Sequence, residues 1–80
     1  MIDVEIEYCV PCGHLDRAVD VQREILNDLA DQVDGVRLVT GDGGDFIVRI
    51  DGETVYDKAE ADAAFDVEAV KDEISARATA

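Results

Sequence analysis

The 80-residue chain has little aromatic and basic character, with two Phe, two Tyr, no Trp and seven Lys or Arg residues. Few aromatic residues argue against a deep aromatic ligand pocket. Few basic residues argue against nucleic-acid and anionic-membrane partners, because phosphate and lipid headgroups are bound largely through Lys and Arg. No apolar run approaches the roughly 18 residues that would span a bilayer, and the N-terminus lacks the pattern of a signal peptide. We therefore expect a cytoplasmic protein.

The charge balance is strongly acidic, with 20 Asp and Glu residues and a net charge of -13. The acids are spread along the chain, which predicts a repelling folded surface and favours a monomer. Such repulsion destabilises a compact state in dilute buffer, but at about 1 M salt the Debye length falls to roughly 3 Å. We hypothesise a cytoplasm with molar salt, as in an extreme halophile; an acidic mesophilic protein is the alternative.

The chain is short enough for a single domain, spanning residues 1–80, with one thin core. Residues 2–8 alternate between apolar and acidic side chains, which predicts a strand with one buried and one solvent-exposed face. The acid-bearing face implies that helices cover only the other face of the sheet.

A long helical pattern follows this first strand. The predicted buried stripe, interrupted by Gln22, consists of Leu15, Ala18, Val19, Leu26, Leu29 and Val33. Pro11 suits the helix start and Gly35 suits its end.

Three further strands and a second helix are predicted after this helix. Residues 36–39 form a short strand parallel to the first, and residues 45–50 form the third strand. Asp51-Gly52 predicts a type I′ hairpin into residues 53–56. Asp66 is a good N-cap for the last helix. The order β-α-β-β-β-α predicts an α/β two-layer sandwich of thioredoxin-like type, with a mixed four-stranded sheet and both helices on one face.

Cys9 and Cys12 form a Cys-x-x-Cys motif between the first strand and the first helix, which is the pattern of a redox pair. Their spacing brings both sulfurs within bonding reach, and a helix N-terminus favours a thiolate. The thiolate is the nucleophile of thiol–disulfide exchange. Pro11 stiffens the turn between the sulfurs. Cys9 and Cys12 are therefore the candidate catalytic residues, and the sulfurs themselves hold the electrons, so we predict no cofactor.

The two cysteines allow interpretations other than a redox pair. Zinc needs four ligands, whereas this chain has two Cys and one His, so we predict no metal within one chain; a dimer sharing a metal stays open. Covalent haem requires His directly after the motif, but Gly13 stands there. Two inert buried thiols, or an interaction module without catalysis, remain open alternatives.

Two residues beside the motif have alternative roles. His14 could stabilise a thiolate or shuttle a proton, or it is an exposed polar helix residue. Tyr8 could hydrogen-bond to the site, or it packs in the core. The Gly-rich stretch 41–44 lacks a P-loop pattern and is interpreted as a turn.

Two segments, residues 4–13 (Val-Glu-Ile-Glu-Tyr-Cys-Val-Pro-Cys-Gly) and residues 44–52 (Gly-Asp-Phe-Ile-Val-Arg-Ile-Asp-Gly), carry a family resemblance. The chain resembles the selenoprotein W-like, or Rdx, family of thioredoxin-fold proteins over about residues 3–75. The resemblance implies a cytosolic thiol oxidoreductase in which the pair cycles between dithiol and disulfide. As its partner we expect a thiol-containing protein or a low-molecular-weight thiol.

The resemblance leaves the attacking cysteine open. In thioredoxins the first, more exposed cysteine attacks, which favours Cys9 slightly. Some relatives carry selenocysteine at the position of Cys12, which favours the second residue. Thioredoxins also have a cis-proline opposite their cysteine pair, whereas the only proline here is Pro11, so their docking geometry is not expected.

Overall fold

A computed structural model describes residues 2–41, 46–60 and 64–78. The elements are β1 (Ile2–Tyr8), α1 (Leu15–Leu29), β2 (Val33–Thr40), β3 (Phe46–Ile50), β4 (Glu53–Asp57) and α2 (Val67–Ala78). The sheet order is β2-β1-β3-β4. β1 runs parallel to β2 and antiparallel to β3, and β3 runs antiparallel to β4. The predicted element order and mixed four-stranded sheet are confirmed.

One hydrophobic core lies between the sheet and the two helices. The even-numbered residues of β1 are buried, as the alternation predicted. They pack with side chains from both helices and from β2 and β3, so both helices cover the same face of the sheet. In the described part of the chain, no helix is long and apolar enough to cross a membrane.

The other face of the sheet carries a network of ion pairs that joins three strands. Glu5 lies directly opposite Arg37 on β2 and Arg49 on β3. Its carboxylate binds Arg37, and its Oε2 lies 2.8 Å from Arg49 Nη1, which also lies 3.0 Å from Glu7 Oε1. The hydrogen bond from Arg37, followed by that from Arg49, lowers the pKa of Glu5 below its usual 4.5. The acid-bearing face is thus partly neutralised by cross-strand pairs.

Helix α1 buries a stripe that only partly overlaps the predicted one: Ala18 and Leu29 are buried as predicted, but the stripe is turned away from Leu15 and Leu26. Leu15 and Leu26 are 41% and 38% exposed. The buried residues are Ala18, Val21, Ile25 and Leu29. Gln22, which lies between the two stripes, donates a hydrogen bond from Nε2 to the carbonyl oxygen of Val36 at 2.7 Å. Both stripes are apolar, and packing of the helix on β2 decided which of them is buried.

The predicted end of the first helix is also wrong. Val33 and Gly35 belong to β2, where they pair with Ile2 and Asp3. The predicted strand 36–39 is therefore part of a longer strand. Pairing with β1 satisfies the backbone groups of this segment, which outweighs the local helical spacing of Val33.

The predicted turn and cap are present at the second half of the chain. Asp51 and Gly52 have φ values of 52° and 85°, as the type I′ turn between β3 and β4 requires. Asp66 Oδ1 accepts a hydrogen bond of 3.0 Å from the Glu68 amide at the start of α2. Residues 42–44 of the predicted turn at 41–44, the strand residue Asp45 and positions 61–63 lie outside the described residues.

Candidate redox site

The candidate site lies at the C-terminal end of β1, next to the start of α1. Cys9 follows Tyr8, whose register partners are Thr40 on β2 and Phe46 on β3. The Tyr8 carbonyl oxygen accepts a hydrogen bond of 2.7 Å from the Gly41 amide. The end of a central strand, held on both sides, therefore fixes the position of the first cysteine.

A turn, rather than the first turn of the helix, carries the motif. The Gly13 amide donates to the Val10 carbonyl oxygen at 3.0 Å, and the His14 amide donates to the Cys9 carbonyl oxygen at 3.2 Å. Gly13 has a φ of 84°, a left-handed conformation that favours glycine. This conformation breaks helical geometry, so α1 begins only after His14, its N-cap. The prediction that Pro11 starts the helix is therefore wrong.

Cys9 and Cys12 form a disulfide bond, with their Cα atoms 5.3 Å apart. The expectation that their sulfurs lie within bonding reach is confirmed. Cys9 is 3% exposed, whereas Cys12 is exposed. This is the reverse of the exposure on which the slight preference for Cys9 as the attacking residue rested. Cys12 is therefore the cysteine of the pair that is accessible from solvent.

His14 packs on the aromatic cluster beneath the motif. It is half-buried, and its ring meets the ring of Phe46 edge to face, with centroids 5.9 Å apart. Phe46 is 1% exposed, and its ring also contacts Tyr56 and Phe65. The interpretation of His14 as an exposed polar residue is therefore wrong. Its ring packs against Phe46, and the residue lies two positions after Cys12.

Sequence reasoning missed Phe46 and Arg17 as neighbours of the site. The Arg17 guanidinium lies 5.8 Å from the centroid of the Phe46 ring, on the side of α1. Phe46 was identified only as part of the family-like segment, and its register opposite Tyr8 places it here. Tyr8 itself is 7% exposed and belongs to the core, as its core-packing interpretation predicted.

Within residues 2–41, 46–60 and 64–78, no group of three or more His, Cys, Asp or Glu side chains could hold a metal ion. In the described chain, Cys9 and Cys12 are the only cysteines, and they are bonded to each other. The chemistry available at this site is the making and breaking of that bond.

Comparison with known proteins gives a family match and fold matches. The model of the Rdx family matches residues 3–76. A crystal structure of a Bordetella parapertussis protein has a TM-score of 0.87 at 25% identity, over 95% of this chain and 96% of that chain. A crystal structure of a selenoprotein W-related protein from Vibrio cholerae has a TM-score of 0.89 at 19% identity, over 96% of both chains.

No curated protein sequence matches significantly. The family match confirms the resemblance inferred from the sequence, and the two crystal structures confirm the thioredoxin-like selenoprotein W-related fold.

Proposed function

Because the chain belongs to the Rdx family, we propose that it is a thiol–disulfide oxidoreductase or electron carrier in which Cys9 and Cys12 cycle between dithiol and disulfide. One observation carries the proposal: a disulfide between a buried and an exposed cysteine at the end of β1. The exposed residue gives a partner sulfur access. The buried residue is held by the sheet within bonding distance of it.

The cycle begins from the reduced pair. The Cys12 thiolate attacks one sulfur of a partner disulfide, which forms a mixed disulfide and releases the other partner sulfur as a thiolate. Cys9 then loses its proton and attacks the Cys12 sulfur. The Cys9–Cys12 bond forms, the mixed disulfide breaks, and the second partner sulfur leaves with the electron pair. Two electrons pass from the protein to the partner, and the reverse sequence reduces the protein.

Four neighbours support this exchange in the proposal. Pro11 and Gly13 shape the turn that sets the spacing between the sulfurs, and the carbonyl of Val10 holds the amide of Gly13. His14 and Tyr8 pack against the aromatic cluster and the core, which keeps both ends of the motif in place. We assign them positioning roles, because these contacts hold the two ends of the motif.

Single-cysteine variants test the assignment of roles. Reduced Cys9→Ser and Cys12→Ser proteins are incubated with cystamine, a small cationic disulfide, and followed by mass spectrometry. We expect Cys9→Ser to accumulate a mixed disulfide rapidly and Cys12→Ser to react slowly, because only Cys12 is exposed. The wild type should instead regain its internal disulfide and release two small thiols.

The proposed function is wrong if the reduced wild type reacts only after unfolding in urea. The alternative of an interaction module without catalysis predicts that result. A zinc-bridged dimer predicts in addition that added zinc doubles the molecular mass measured by light scattering, and that this requires both cysteines.

We further propose that the protein acts as a cytoplasmic monomer. A net charge of -13 repels a second copy in dilute buffer. Partners are expected to be thiol proteins or low-molecular-weight thiols. Sedimentation in low and molar potassium chloride measures the oligomeric state, and a dimer in dilute buffer would contradict this assignment.

A further inference from the structure

The sequence segment around Cys12 differs in charge from the rest of the chain. Although 20 of the 80 residues are acidic, no position from 8 to 15 carries Asp, Glu, Lys or Arg. Acidic residues stand on both sides of this segment, with Glu7 before it and Asp16 after it. The exposed cysteine therefore lies in an uncharged window of the sequence. The basic residue that the structure places beside the site is Arg17, whose guanidinium lies 5.8 Å from the centroid of the Phe46 ring.

Exposed apolar side chains are concentrated in this window. The large apolar residues exposed in the described part of the chain are Val10 at 42%, Leu15 at 41% and Leu26 at 38%. Val10 and Leu15 lie two and three positions from Cys12, and Pro11 between them is also exposed. We call Val10, Pro11 and Leu15 the apolar collar. Exposed apolar side chains that lie together, rather than singly, are typical of interaction sites.

We propose that the apolar collar binds a partner protein through apolar residues that flank the partner's own reactive cysteine, with basic residues around them. This inference rests on the proposed redox function and narrows its partner class from thiols in general to protein thiols. A partner sulfur that reaches Cys12 must bring its flanking residues over the collar. Burial of apolar surface there stabilises the encounter, and basic residues at its rim meet the acidic surroundings.

A small thiol that carries carboxylates fits this surface poorly. It has little apolar area to place on the collar, and the negative charge of the protein repels it at low salt. A protein segment with apolar and basic residues binds more favourably, because it covers the apolar collar and is attracted by the negative charge of the protein. The structure therefore favours the protein as the source of the partner sulfur.

Two chromogenic peptides provide the test. Lys-Leu-Cys-Leu-Lys and Lys-Ser-Cys-Ser-Lys have equal charge, and in each the cysteine is joined by a disulfide to thionitrobenzoate. The Cys12 thiolate attacks the peptide sulfur, a mixed disulfide forms, and coloured thionitrobenzoate leaves with the electron pair. Cys9 then forms the internal disulfide and releases the peptide thiol. Rates with mercaptoethanol correct for the intrinsic reactivity of each peptide.

We expect the reduced wild-type protein to react about tenfold faster with the leucine peptide than with the serine peptide. This ratio corresponds to about 1.4 kcal/mol, which partial burial of the leucine side chains can supply. The preference should persist in about 1 M potassium chloride, where charge effects are screened. Leu15→Ser should reduce it to about twofold. Leu26→Ser is the matched control, because it makes the same change at similar exposure about 16 Å further along α1, and it should retain the wild-type preference.

Three results would overturn the collar while leaving the proposed function intact: equal corrected rates for the two peptides, equal effects of Leu15→Ser and Leu26→Ser, or faster oxidation by glutathione disulfide than by the leucine peptide. If no disulfide oxidises the reduced wild type, the redox function fails and the collar fails with it. Circular dichroism of both leucine variants confirms that the rates compare folded proteins.

Discussion

Reduction of the Cys9–Cys12 disulfide should lower the stability of the protein modestly and leave it folded. The bond joins residues only three positions apart. For a closed loop of about four residues, the chain-entropy relation gives about 2 kcal/mol at 25 °C. The cysteines are also held by other contacts: the His14 amide donates to the Cys9 carbonyl oxygen at 3.2 Å, and Cys9 is 3% exposed. These contacts do not require the bond, so both redox states should share one fold.

The assay compares thermal and urea unfolding of the protein with and without excess phosphine reductant in molar potassium chloride. A loss of about 2 kcal/mol corresponds to a fall in Tm of about 8–16 °C for a domain of this size. The Cys9→Ser/Cys12→Ser double variant is the control: it should unfold near the reduced wild type and be indifferent to reductant. If the reduced protein is unfolded at 25 °C, or is at least as stable as the oxidised one, the reasoning is refuted.

Three further predictions concern charge. Arg49→Met removes both cross-strand pairs to Glu5 and Glu7 and should lower the free energy of unfolding by about 1–2 kcal/mol. Arg23→Met is the control: it makes the same charge change at an exposed 3.4 Å pair on α1 and should lower the free energy of unfolding by less than about 0.5 kcal/mol. The pKa of Glu5 in the folded protein lies below 4.5. Its contribution to the free energy of unfolding is therefore complete above pH 4.5 and is lost as the pH falls through the folded pKa. Glu5→Gln should flatten the acid side of a stability–pH profile measured in urea. Raising potassium chloride from about 0.1 M to above 1 M should raise Tm, because the Debye length falls from about 10 Å to about 3 Å.

Each of these has a result that contradicts it. Equal losses for Arg49→Met and Arg23→Met would mean that net charge, rather than the pairs on the sheet, sets stability. An unchanged acid profile in Glu5→Gln would assign acid unfolding to other carboxylates. Equal melting temperatures at both salt concentrations would remove the hypothesis of adaptation to molar salt.

Local signals in the sequence predicted most of the elements. The period-two alternation of β1 has one buried face because successive side chains on a strand point to opposite sides. The turn at Asp51 and Gly52 and the cap at Asp66 depend on the conformations and hydrogen bonds of neighbouring residues alone. Such features are encoded within a few positions and can be predicted without knowing the rest of the fold.

Features that depend on distant residues were predicted less well. Val33 continues the helical spacing of the first helix, yet it pairs with Ile2 in the sheet. Leu26 and Ile25 are adjacent and equally apolar, but only Ile25 faces the core. Neither outcome follows from local spacing, because each is set by where the sheet lies relative to the helix.

The sequence by itself determined the composition of the candidate site: two cysteines at a spacing that allows a bond, an uncharged segment around them, and a strongly acidic chain elsewhere. Only the tertiary structure decided that Cys9 is buried and Cys12 exposed, and that Phe46 lies beneath His14. The reason is physical. Bond formation between near neighbours depends on local backbone geometry, whereas exposure depends on which distant strands and helices cover each side chain.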